Sequence, residues 1–499
     1  MSDAPGIRDV ESAEFKQNLW QAFACSVRDN IAAEFAVQGL RVGGMVLLAH
    51  LLHPEDFGLL RVLIIVGGFA MVLSDMGFPD ALIQRKEITP VHESTAWWLN
   101  LALAGTSAGA LYMAAPAIAR IMAMPDLAGP IRLICLPVLL EGSAVTANAR
   151  LRRRLQFRAL AAADVVAEIA FLAAALLLLR IGYPRWSLAG ALAARLTAHA
   201  LTIWIADFYV PLVMPSLEAA RDLSRFAISV LGANVAICFA SNADYLLVGR
   251  LLGATALGYY SISWDLLRFI PARLHKVAVR VIFPAFSRLQ DDNIELARAY
   301  NQLCGYLARV VLPLTACIAV AAPEILRVLY GAQWSPAAMP LRLLAGGLAL
   351  SGLREGMGAI YYAKNHPSLD IYINIARLVL IVVAVTTLAS SGLFRVSAAM
   401  SVIEGVISIT GQYLVCLLIG SQIRGLLSMA VPGLRLATWC AVATMAGKII
   451  ATMAGLDGPI VLALVVIPPA LVFGFLEGGD LRVMLSAAFA RRAIPAIEA

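Results

Sequence analysis

The chain has 499 residues, of which 61 % are hydrophobic and 14 % charged, and its mean hydropathy is +0.81. Soluble domains carry about 25 % charged residues, so this composition excludes water as the solvent of most of the surface and points to lipid. The formal net charge is +7, but no basic stripe interleaved with aromatics accompanies it, which argues against nucleic acid as a partner.

Residues 1–30 are polar and include Asp3, Asp9, Glu11 and Glu14. They carry no cleavable leader pattern, and the N-terminus is expected to stay in the cytoplasm. Within them Phe15, Leu19, Trp20, Phe23 and Val27 recur at helical spacing, which predicts an interfacial helix.

Apolar runs then predict about fourteen transmembrane helices of some 20 residues each. They fall at 31–52, 57–78, 94–116, 129–149, 159–180, 187–209, 225–247, 256–280, 300–322, 339–362, 369–390, 396–419, 431–452 and 459–477. The predicted organisation is an N-terminal six-helix lobe (31–209), a cytoplasmic linker (210–224), a second six-helix lobe (225–419), two accessory helices (420–477) and a basic amphipathic tail (478–499). Lys and Arg number 23 on one set of alternate connections and 8 on the other. Cytoplasmic loops collect these residues, so both termini are expected in the cytoplasm.

Leu51, Leu52 and Gly58 align with Leu251, Leu252 and Gly258 at an offset of 200. Each group follows the first span of its lobe, so the two lobes are expected to be a parallel pseudo-repeat. Pro54, Gly253 and Gly258 suit tight reversals. Pro313 lies inside the ninth span, and Gly352 with Gly356 forms a small-xxx-small pair suited to close helix packing.

A charge at mid-bilayer costs about 2.5–3.5 kcal/mol on insertion scales, so such residues need a cavity or a partner. Arg41, Glu141, Asp164, Glu168, Arg195, His199, Arg309, Arg354, Glu355, Arg377 and Glu404 fall near the middle of predicted spans, and Lys448 stands in the thirteenth. Arg41, Arg309, Arg354 and Arg377 are the candidates for a cationic cavity, because a guanidinium donates paired hydrogen bonds to phosphate. Glu141, Glu168 and Glu404 are the candidates for ion coupling. The competing reading is interhelical pairing, such as Arg195 with Glu168 or Arg309 with Glu404. Asp75, Asp244, Asp265 and Arg268 lie nearer the faces and suit capping or gate pairing.

No GxxxxGK[ST] loop, HExxH motif, CxxC pair or metal-spaced His/Cys cluster is present. No cofactor, metal or enzyme activity is therefore expected, and the seven cysteines read as small core residues.

The stretches LLHPEDFGLLRV, SDMGFPDALIQRKEITPVHESTAWWLNL, DYLLVGRLLGATALGYYSISWDLLRFIP and FPAFSRLQDD resemble the Wzx-type polysaccharide transporters. These belong to the multidrug/oligosaccharidyl-lipid/polysaccharide exporter superfamily, and the resemblance is to the branch with colanic-acid and teichuronic-acid exporters. It implies an all-α polytopic fold with two lobes around a central cavity plus two C-terminal helices. It further implies an inner-membrane flippase that moves undecaprenyl-pyrophosphate-linked oligosaccharides to the periplasmic leaflet by alternating access, for surface polysaccharide synthesis. Its partners would be that lipid-linked substrate, the bilayer, and the polymerase and co-polymerase of the same pathway. The alternatives are a cation-coupled drug antiporter of the superfamily, disfavoured by the abundance of midplane arginine, and a non-transporting scaffold of an assembly complex.

Overall fold

A computed structural model describes residues 34–85, 88–211, 213–268, 286–354, 356–456 and 460–474. The predicted interfacial helix at 13–30, Pro271, Pro284, Glu355 and the basic tail lie outside them. Among the described residues every regular element is helical. Eleven helices are long and apolar enough to cross a membrane, so the chain is a multi-pass membrane protein. Large apolar side chains such as Met113, Leu177, Val402 and Leu471 stand 60 % or more exposed along these helices, as a lipid solvent permits.

The helices in chain order are α1 (34–51), α2 (Pro54–Asp75), α3 (Phe78–Gln84), α4 (Pro90–Met122), α5 (Ala128–Arg153), α6 (Phe157–Arg180) and α7 (Pro184–Ala206). After the linker come α8 (217–252), α9 (254–268), α10 (Asn293–Leu329), α11 (Ala338–Ser351), α12 (Met357–Ala363), α13 (Pro367–Leu388), α14 (Leu393–Ile419), α15 (Ile423–Met453) and α16 (Ile460–Gly474). Proline opens α2, α4, α7 and α13; its missing N–H falls where no intrahelical acceptor exists. At the start of α2 the His53 N–H donates to Asp56 Oδ2 at 3.0 Å, which closes the end of the helix against unsatisfied donors.

The predicted seventh span and the described part of the eighth are α8 and α9, which meet at Gly253, where φ is 88° and ψ is 174°. Only glycine adopts that conformation at low cost. Across it the Tyr245 and Tyr260 rings meet at 5.5 Å, and the Tyr260 hydroxyl donates to Asp244 Oδ2 at 3.0 Å. In a straight helix these residues would be about 22 Å apart, so the chain reverses at Gly253 and α8 and α9 run antiparallel. In the first half the chain likewise breaks between α1 and α2, directly after Leu51 and Leu52.

The described chain divides into two compact units, Met1–Asn242 and Ala243–Ala499. In the first unit α6 packs along α7, α4 on α5, and α5 on α7. The stretch after α7 is strapped to this unit. Arg150 on α5 donates to Asp207 (2.7 Å) and Glu93 (2.8 Å), and its guanidinium lies 4.7 Å from the Tyr209 ring centre. Ser94 donates to the Val213 carbonyl, and the Ser216 N–H donates to Thr95 Oγ1 at 3.0 Å. Arg85 donates to Asp222 Oδ2, also at 3.0 Å.

In the second unit α10 packs along α15, and α11 on α14. The approach of α15 to α10 needs small residues: a Cβ on Gly433 would stand 2.6 Å from the Ala308 backbone. Lys448 of α15 reaches Glu324 of α10 at 2.7 Å, so this helix is fixed to the unit by packing and by charge. The predicted tenth span is broken: α11 ends at Ser351, and a single 3-10 turn, Gly352–Arg354, precedes α12. Gly352 and Gly356 face α10 closely, where a Cβ would meet Val311 at 2.6 Å and Leu303 at 2.5 Å.

Candidate functional site

Each unit carries one buried carboxylate held between two arginines, built on a helical hairpin. In the first unit the hairpin is α6–α7. Asp164 and Glu168 are one turn apart on α6, as are Arg195 and His199 on α7, so each pair lies on one face. The faces meet as two rungs: Arg195 Nε lies 3.3 Å from Glu168 Oε1, and His199 Nε2 lies 3.9 Å from Asp164 Oδ1. Neighbouring helices complete both rungs. Arg41 of α1 donates to Glu168 Oε1 from Nη2 (2.5 Å) and Nε (3.1 Å). Glu141 of α5 places its two oxygens 2.9 and 3.1 Å from His199 Nδ1.

In the second unit the hairpin is α13–α14. Arg377 donates to Glu404 Oε1 from Nη2 (2.5 Å) and Nε (2.8 Å), while Arg354 Nη2 lies 3.7 Å from Glu404 Oε2. Arg354 comes from the one-turn break between α11 and α12. Its Nη1 is buried and has no hydrogen-bond partner among the described residues. Arg268 also lies within electrostatic reach of Glu404, with its guanidinium 4.5 Å from the Trp264 ring centre.

The two hairpins have the same frame with exchanged signs. Glu168 and Arg195 are separated by 27 residues, as are Arg377 and Glu404. Each hairpin turns on a left-handed glycine, Gly182 (φ 89°) or Gly392 (φ 88°). The first hairpin carries acid then base; the second carries base then acid. The third member, Arg41 or Arg354, is an arginine in both units.

Of the sequence-predicted residues, the structure therefore joins Arg41 to Glu168, and Arg354 and Arg377 to Glu404. Candidate anion binders and candidate ion-coupling carboxylates prove to be each other's partners. Arg195 pairs with Glu168 as one reading anticipated. Glu404 is held by Arg377 and Arg354, whereas Arg309 of α10, its anticipated partner, has its guanidinium 5.9 Å from the Tyr306 ring centre. Glu141 joins a different rung, with His199. That histidine was not among the residues proposed for a role, although its one-turn spacing from Arg195, opposite Asp164 and Glu168, was a readable signal.

Chemically, a guanidinium has five N–H donors, and one carboxylate cannot engage ten. The Arg41 side chain is 39 % exposed and that of Arg354 27 %, while the Glu168 and Glu404 side chains are at most 5 % exposed. Each triad thus buries its negative member and leaves part of its positive members accessible, in a hairpin otherwise made of apolar helix.

A family model described as polysaccharide biosynthesis protein matches residues 47–339. The chain is similar to the lipopolysaccharide biosynthesis protein WzxC of Escherichia coli, with 24 % identity over 359 residues, 71 % of this chain and 72 % of the relative. It is also similar to the succinoglycan biosynthesis transport protein ExoT of Rhizobium meliloti, with 28 % identity over 310 residues, and spans 62 % of that relative. The teichuronic acid biosynthesis protein TuaB of Bacillus subtilis is 24 % identical over 359 residues, 70 % of this chain and 73 % of that one. Among solved structures, the lipid II flippase MurJ in an inward closed conformation shares the fold with a TM-score of 0.69 at 13 % identity, covering 91 % of this chain and 100 % of that one. An inward-facing multidrug resistance MATE family transporter gives a TM-score of 0.63 at 16 % identity, covering 77 % and 94 %. At such identities the likeness concerns fold alone. With more than half of the chain matched by the family model, this multi-pass helical membrane protein belongs to the polysaccharide biosynthesis protein family.

Proposed function

We propose that this protein is a flippase for lipid-linked oligosaccharides. In this reading it carries repeat units on undecaprenyl pyrophosphate from the cytoplasmic to the periplasmic leaflet of the inner membrane by alternating access. The observation that carries the reading is the pair of Arg–Glu–Arg triads within membrane-spanning hairpins. A pyrophosphate headgroup must shed part of its hydration to cross the bilayer, and arginine replaces that hydration with paired charge-assisted hydrogen bonds. Arg41, Arg354 and Arg377 contact the headgroup, with Arg309 as a further contact on α10. Glu168 and Glu404 hold these cations while the site is empty and compete with phosphate for them when it fills. The family membership and the names of the relatives agree with a polysaccharide substrate. The polymerase and co-polymerase of the same pathway are proposed as the partners that receive the flipped unit.

Binding to the purified protein tests the reading. Undecaprenyl pyrophosphate should bind in nanodiscs, and undecaprenol, which lacks the charge, should bind at least tenfold more weakly, since each charge-assisted hydrogen bond contributes about 1.5–3 kcal/mol. Arg354→Gln should remove much of that difference without unfolding the protein. Equal binding of the two lipids would contradict the proposal.

A further inference from the structure

The second rung of the α6–α7 ladder differs chemically from the first. His199 stands between two carboxylates, with Nδ1 2.9 and 3.1 Å from the Glu141 oxygens and Nε2 3.9 Å from Asp164 Oδ1. A neutral imidazole has one N–H and one lone pair. If Nδ1–H donates to Glu141, the Nε2 lone pair is aimed at a carboxylate oxygen. Only the imidazolium, with a hydrogen on each nitrogen, suits both neighbours.

The surroundings supply a route for the proton. The Glu141 side chain is 9 % exposed, but that of Asp164 is 58 % exposed. A carboxylate so open within a span is tolerated where water reaches it, and this one stands beside Nε2. The charged groups that bear on the ring are Glu141 from α5, Asp164 and Glu168 from α6, Arg195 from its own helix, and Arg41 from α1 through Glu168. Helix α2 also packs on α7 and carries Glu55 and Asp56 in its first turn, Arg61 two turns in and Asp75 at its end. A ring nitrogen facing a carboxylate on each side is a geometry that a proton fits.

We infer that His199, clamped by Glu141 and Asp164, is a proton-binding site whose occupancy sets how strongly the first unit's arginine triad holds an anionic headgroup. This deepens, and rests on, the reading that Arg41 and its neighbours contact a lipid pyrophosphate. With the carboxylates ionised, two arginines face three negative charges in the ladder. A proton taken from water onto Nε2 cancels the surplus, and its release to water restores it. Proton and anion therefore favour each other's binding by the same factor. Anion affinity should fall as pH rises through the titration of His199.

Two measurements on the full-length protein in nanodiscs test this. The first uses no substrate: ¹⁵N-histidine NMR follows the six histidines, with the His199 signal assigned by its loss in His199→Gln. The ring should titrate, and its midpoint should move in Glu141→Gln. The second measures undecaprenyl pyrophosphate binding at acid and alkaline pH. Wild type should bind on the order of tenfold more tightly at the acid end, a typical coupling between two sites. His199→Gln should bind with the wild type's alkaline affinity and keep only the pH dependence that belongs to the headgroup. A ring that holds one protonation state throughout, or an unchanged pH dependence in His199→Gln, would overturn the inference. If wild type binds the lipid at no pH, the flippase reading fails, and the NMR titration still decides whether His199 is a proton site.

Discussion

Glu404 accepts from Arg377 at 2.5 and 2.8 Å and lies 3.7 Å from Arg354, with its side chain 3 % exposed. Removing one member of a buried pair costs about 3–5 kcal/mol, because the remaining charge is stranded. Glu404→Gln should therefore lower the thermal midpoint and the yield of folded protein. The double exchange Arg377→Glu with Glu404→Arg should recover most of that loss, since it reproduces the acid-then-base order of Glu168 and Arg195 on the matching hairpin. A double variant as unstable as Glu404→Gln alone would show that the frame does not tolerate either polarity. Which residues would be charged within the membrane was legible in the sequence; their pairing was legible only in part. Arg195 and Glu168 are neighbours across one hairpin, and hairpin spacing suffices to match them. The pairing of Arg377 and Arg354 with Glu404 depends on how α13 is rotated about its axis and on the break at Gly352–Arg354, which apolar patterning does not encode. His199 was legible as a mid-span group, but its two carboxylate neighbours, Glu141 and Asp164, come from two other helices and were not.

The linker strap is the element whose behaviour follows most directly from its contacts. Asp222 accepts from Arg85 at 3.0 Å and has His92 at 3.9 Å, and the hydrogen bond from Arg85 holds its carboxyl below the usual carboxylate range. A carboxylate with a depressed folded pKa stabilises the strap above its unfolded value and loses that contribution as pH falls through the folded one. The pair is exposed, so the effect is small and salt-sensitive. Limited trypsin digestion of the purified protein should cut at Arg221 faster in Asp222→Asn than in wild type, and high salt should bring wild type toward the variant. Identical digestion rates would mean that Arg150, with Asp207 and Glu93, holds the segment without help from Asp222. On the same strap, burial, then the nearby Glu93, pushes the Tyr209 hydroxyl up, so it stays neutral beside Arg150. At this scale the helices themselves were well anticipated, because runs of apolar residues between Pro and Gly leave few alternatives. The departure has a local cause: α11 and α12 are separated where Gly352 and Gly356 close onto α10, whereas the reversal between α8 and α9 falls at Gly253, where the sequence suits one.

For the whole molecule, the proposed topology, drawn from the excess of Lys and Arg on one set of connections, has both termini in the cytoplasm and the α6–α7 turn at Gly182 and the α13–α14 turn at Gly392 facing outward. Cysteine labelling with an impermeant reagent in intact cells should mark Gly182→Cys and Gly392→Cys, and should miss Gln156→Cys in the arginine-rich connection after α5. Labelling of the last position would invert the topology. The shared 27-residue frame of the two charged hairpins, together with the breaks that follow Leu51–Leu52 and Leu251–Leu252, supports the proposed parallel repeat. The central claim is that the protein moves a lipid-linked oligosaccharide between leaflets, and direct flipping in proteoliposomes tests it most closely. Vesicles loaded with an undecaprenyl-pyrophosphate oligosaccharide in both leaflets are treated with an impermeant enzyme that cleaves the exposed sugar. Without protein about half of the lipid should resist cleavage; with wild type the protected pool should empty, and with Arg354→Gln it should empty more slowly. A protected half that persists in the presence of folded wild-type protein would contradict the account.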